Sequence, residues 1–143
     1  MAMTGLDTFD TAVQKSERWI HEVMEQLEWS DRHRTYSVLR AVLLNLRNQL
    51  TVDVSANLSA QLPLVLRGLY YDQWNPSAVP VKERSLQRFL ERVAQDASLS
   101  DTDEALRATR AVLGVLEEHT SEGVEWHLAE VLPDEFETLL ARA

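Results

Sequence analysis

Apolar residues recur at helical spacing along almost the whole chain. From about Thr8 to Glu28 they stand at Phe9, Val13, Ile20, Val23, Met24 and Leu27, threes and fours apart. That spacing predicts an amphipathic helix with these positions on its inward face. A second helix is predicted near 31–49, with Leu39, Val42, Leu43 and Leu46 turned inward, and a short third one carries Val54, Leu58 and Leu62. Pro63 then stands where a fourth helix should begin, because the first helical turn does not miss its amide. Leu64, Leu66, Leu69 and Tyr70 extend the inward face of that fourth helix. The short oxygen acceptors of Ser30-Asp31 and Thr51 suit helix starts.

The same grammar is then written again. A shift of 70 positions lays residues 19–70 on 89–140 without a gap. Ser30-Asp31 falls on Ser100-Asp101, Arg40-Ala41-Val42-Leu43 on Arg110-Ala111-Val112-Leu113, and Leu62-Pro63 on Leu132-Pro133. Apolar character also persists at Trp19/Phe89, Ile20/Leu90, Trp29/Leu99 and Leu66/Phe136. A shared helical period produces weak self-similarity, but not three shared motifs in one register, so the pattern reads as a duplication. The second copy is expected to have helices near 84–97 and 101–119, a third helix capped by Ser121, and a fourth starting at Pro133. Asp101 and Glu104 have the spacing of a capping box. Trp74–Pro80, with two prolines and no helical period, reads as the linker. The predicted fold is all-α: about eight helices, in two tandem four-helix repeats (residues 1–76 and 77–143) packed around a pseudo-twofold axis over one shared core.

Composition narrows the function. A chain of 143 residues should bury about two-thirds of its unfolded surface, enough to fold without staples. It has no cysteine, which excludes disulfides, thiolate metal sites and a cysteine nucleophile. The start, MAMTGLDTFDTAV, has no basic flank and no apolar run, and no stretch is long enough to span a bilayer. The expected setting is the cytoplasm. Net charge is −9, from seven basic and nine acidic residues in 1–76 and seven and fourteen in 77–143. That excess of acid argues against nucleic-acid binding.

Few motifs carry chemistry. His21-Glu22 has no second histidine at zinc-protease spacing, and His127 and Glu130 stand in the reverse order of a di-iron pair, so no metal site is expected. There is no nucleophile elbow and no glycine-rich phosphate loop, and with them no cofactor and no catalytic residues are assigned. Arg32-His33-Arg34 and the i, i+4, i+8 stripe of Arg84, Arg88 and Arg92 are diluted by neighbouring acids and read as solvated helix faces. Arg40 and Arg110, retained beside the core in both copies, either bind an anion as a like pair or lay their stems on the core beside a local acid.

The stretch AQLPLVLRGLYYDQWNP (60–76) is where the copies differ most. Together with AVLLNL and RAVLGVL it resembles a bacterial family known as domain of unknown function number 2267, whose members pair a central AVL-x-x-L helix with an AQLP-x-x-x-RG-x-YY-x-x-W segment. The resemblance covers roughly residues 10–140. It implies no activity, cofactor or catalytic residue. Gln73 stands where the family pattern has a glycine, and since Gln tolerates positive φ poorly, this argues against a tight turn there. Arg67, Tyr71 and Trp74 fall largely off the inward face. With Tyr70 they form either a recognition surface, rich in the residue types such surfaces use, or the packing that anchors the linker at the joint between repeats. The expected function is therefore a non-catalytic helical domain for protein–protein interaction or self-association. The alternative is a small-ligand binding or sensing domain, with a pocket between the repeats lined by Trp19, Tyr70 and Trp74.

Overall fold

The structure, a computed structural model, describes residues 4–119, 128 and 130–140. Helices α1 (Asp7–Leu27), α2 (Arg32–Gln49), α3 (Val52–Ser59) and α4 (Leu64–Tyr71) form the first copy. A 3-10 turn at Pro76–Ala78 lies in the linker. The second copy follows with α5 (Leu86–Asp96), α6 (Thr102–His119), a 3-10 turn (Asp134–Phe136) and α7 (Glu137–Leu140). The fold is all-helical, with no strand among the described residues. The expected third helix of the second copy and its cap Ser121 lie largely outside the described residues.

Two of the helices keep the shift of 70. Helices α2 and α6 begin and end at matching positions, and Val42 and Val112, Leu43 and Leu113, and Leu46 and Leu116 are buried in both. Helix α1 packs on α2 and α6, α5 packs on α6 and α2, and α2 packs on α6. Each copy therefore covers the apolar face of the other, and one core cluster runs from Trp19 to Leu139. Arg34 and Glu104, which occupy the same position of the two copies, meet across α2 and α6 in an ion pair of 2.7 Å.

Capping also repeats. Asp31 accepts from the Arg34 amide and Asp101 from the Glu104 amide, satisfying orphan donors at the starts of α2 and α6. Glu104 reaches back to the amide of Ser100, one residue before the capping position, instead of to that of Asp101. This bond, with the Arg34 guanidinium beside it, holds the Glu104 carboxyl below its ordinary range. Thr51 caps α3 as expected. At the other ends, α1 and α5 each close through a left-handed residue, Glu28 (φ 57) and Ser98 (φ 55). The next amides, of Trp29 and Leu99, return to the carbonyls of Met24 and Ala94. This is the Schellman closure, made twice without glycine.

Two expectations about faces change. The buried stripe of α1 is Ala12, Ser16, Trp19, Val23 and Leu27, and Phe9, expected inward, is 53% exposed. Leu64, at the start of α4, is likewise 52% exposed and lines an open groove. In the second copy the fourth helix does not run evenly. The Phe136 amide bonds Pro133 three residues back, where Arg67 bonds Pro63 four back, so a 3-10 turn precedes the short α7.

Candidate functional site

Helix α4 places the aromatic cluster. Tyr70 is wholly buried and shares a 2.8 Å hydrogen bond with the Ser55 hydroxyl of α3. Burial pushes its phenol up to about 12, although the Ser55 bond opposes that shift. Tyr71 is half-buried and bonds the Ser59 hydroxyl with its own. Its ring stands edge-on to Tyr70 and 5.1 Å from Trp74. The Trp74 indole nitrogen is buried without a hydrogen-bond partner.

Two arginines fix the ends of α3 and α4. Arg67 donates from Nε to the Ser59 carbonyl at 3.1 Å and from a terminal nitrogen to that of Leu62 at 3.1 Å, satisfying the last turn of α3. Arg47 on α2 is buried and donates to the carbonyls of Tyr70 (2.9 Å) and Asp72 (2.8 Å) beyond α4. Burial lowers its pKa from the ordinary guanidinium value, against the opposing charge of Asp72. Its position in the second copy is Glu117, so nothing in the repeat marked it.

The tight turn that Gln73 argues against does form. Gln73 takes φ 58, and the Trp74 amide closes on the Tyr71 carbonyl at 3.0 Å. Arg47 clamps the carbonyl of Asp72, the residue before Gln73, so surrounding structure holds the left-handed conformation.

Arg67, Tyr70, Tyr71 and Trp74 thus come together along α3 and α4. The grouping of Trp19, Tyr70 and Trp74 around one pocket does not occur, because Tyr70 has no exposed surface. Arg40 is exposed on α2, two turns from Arg47 on the same face. Arg110 donates to the Thr138 carbonyl in α7. In the basic stripe, Arg84 precedes α5 and donates to the carbonyls of Gln49 (2.9 Å) and Val131 (2.8 Å), tying linker to helix ends. Arg88 pairs with Glu83 and Glu91, and Arg92 with Glu83. His21 pairs with Glu25 in the same helix, and His127 lies outside the described residues.

Open space lies on both sides of the α1–α4 contact. One groove, about 410 Å³, is lined by Val13, Ser16, Ile20, Tyr36, Val65 and Leu69, with Glu17 and Asp72 at its edge. The Ser16 hydroxyl is buried there without a partner. The other, about 730 Å³, has the outer flank of α1 as one wall and the Gln61–Arg67 segment as the other, with His119 of α6 at one side. The His119 ring stacks on Trp19 at 4.7 Å and its Nε2 meets the Glu22 carboxylate at 2.6 Å. Sequence reasoning missed both grooves. The available signal was on α1, where apolar residues occupy a wider arc than one packed face requires.

These features define an all-helical protein with one core cluster and grooves beside the contact of its first and fourth helices. The chain matches a family model described as Uncharacterized conserved protein (DUF2267) over residues 16–139, and it belongs to that family. No curated protein matches it. Among the described residues no helix is long and apolar enough to cross a membrane.

Proposed function

We infer that the chain is a non-catalytic docking module whose apolar groove between α1 and α4 receives an amphipathic helix with basic flanks from a partner protein. The carrying observation is the second apolar flank of α1. Val13 and Ile20, which the core does not fully cover, continue into Val65 and Leu69 of α4 and Tyr36 of α2. Tyr36 is 42% and Val65 48% exposed, a continuous apolar strip of the kind that marks interaction sites. Charge favours a basic partner over a second copy: Asp72 lines the groove beside Glu17, whose carboxylate is shared with Arg32 at 3.2 Å, and the whole chain carries −9. Two such chains would repel at low salt.

The test uses a synthetic leucine-faced, lysine-flanked helical peptide with a fluorescent label, followed by anisotropy. The expected result is micromolar binding that Val65→Asp weakens by about tenfold or more. Val65→Asp adds negative charge, so attraction by charge alone would strengthen binding. Unchanged or stronger binding by that variant overturns the reading, as does no binding by the parent chain.

A further inference from the structure

We propose that the larger groove, on the other side of the α1–α4 contact, binds a small amphipathic anion: a carboxylate with an apolar body. Its apolar lining includes Ala12 of α1 and Leu62 and Pro63, which lead into α4. Ala12 and Leu62 are buried parts of the fold, so this lining is pre-formed. A volume of about 730 Å³ lies within the range of small-ligand sites.

The rim supplies the charge. Lys15 and Arg18 are exposed on the flank of α1 that faces the groove, and neither has an ion-pair or hydrogen-bond partner among the described residues. Arg67 faces them from the opposite wall. Its Nε and one terminal nitrogen are held by the Ser59 and Leu62 carbonyls, which fixes the guanidinium, while its other terminal nitrogen makes no hydrogen bond among the described residues. A cation held this way loses little freedom on meeting an anion. His119 adds no free charge, because Glu22 already faces it. Asp7 lines the same groove, eight residues before Lys15 and so about 12 Å along the helix. That acid confines the favourable region to the Lys15–Arg18 end and favours one negative head over a highly charged ligand. Three cations lining one groove in a chain of net charge −9 run against its overall composition. An apolar body gives such a ligand the burial that inorganic anions lack.

The experiment titrates the full chain with decanoate, decanol and inorganic phosphate, followed by amide NMR and calorimetry. Decanoate should shift the resonances of residues 11–19 and 61–67 and bind at submillimolar concentration, with decanol and phosphate each weaker. The double variant Lys15→Glu/Arg18→Glu, both at exposed positions, should keep the parent's thermal midpoint and lose decanoate affinity by about tenfold or more. No shift at millimolar decanoate, equal binding by the double variant, or phosphate binding as tightly as decanoate would each overturn the proposal. Val65→Asp lies on the other side of the contact and should leave decanoate affinity unchanged, so the two grooves can fail independently.

Discussion

Tyr70 shows how one residue is fixed by opposing demands. Its ring fills the space between α3 and α4, and its hydroxyl, taken fully out of water, is satisfied by Ser55. Burial disfavours the phenolate, so the folded protein holds this proton more tightly than the unfolded chain does. With the folded value at about 12 and the ordinary value at 10.0, the stabilisation is complete below pH 10.0 and is lost as pH rises through about 12. The total is of order 2–3 kcal/mol. Urea midpoints between pH 9 and 12 should therefore fall more steeply for the parent than for Tyr70→Phe, and parallel curves would show that another group titrates. The sequence placed Tyr70 on the inward face correctly. It placed Phe9 and Leu64 there too, because helical period marks the apolar arc of a helix and not how much of that arc a neighbour covers. Gln73 failed for a different reason: local preference argued against positive φ, and Arg47, 26 residues earlier, decided the outcome from outside the turn.

At the scale of elements, the sequence was most legible where both copies repeat a pattern. Helices α2 and α6 could be bounded almost to the residue because cap, period and length recur. The closures of α1 and α5 could not be read, since the usual glycine is absent and Glu28 and Ser98 take the left-handed conformation in its place. A side chain there costs about 1 kcal/mol that glycine avoids. Glycine loses part of this advantage through its freer unfolded chain. Glu28→Gly and Ser98→Gly should each raise stability by about 0.5 kcal/mol and add when combined, read as shifts in denaturant midpoint at constant slope. Destabilisation by either would mean that the side chain makes a contact worth more than the backbone strain. The 3-10 start of the last segment was equally hidden, because Pro63 and Pro133 give the same signal but lead into different geometries.

For the whole molecule, the repeat made one feature legible: matching apolar stripes that need each other. It did not reveal the grooves, which depend on how α1 packs against α4. Asp7–Lys15 of α1 would align with residues 77–85, which form the linker and end at Ser85, the cap of α5, so this part of the helix has no helical counterpart. Asymmetry is thus concentrated beside both proposed sites. The contact between Arg34 and Glu104 can be measured directly. A double-mutant cycle with Arg34→Met and Glu104→Gln should give a coupling of about 0.5–1 kcal/mol, since both side chains are partly exposed, and it should diminish with salt. A coupling near zero would show that Glu104 serves only Ser100 and the start of α6.

The crossed packing, α1 on α6 and α5 on α2, has a consequence for how molecules find themselves. The contacts that close one chain would serve equally well between the first copy of one molecule and the second copy of another. The tether from Asp72 to Ser85 keeps the two copies at an effective concentration of about millimolar, which favours closure within one chain over exchange between chains. Below that level, each chain is its own best partner. Shorten the tether until it cannot turn back, and the same sequence becomes a recipe for exchanged dimers.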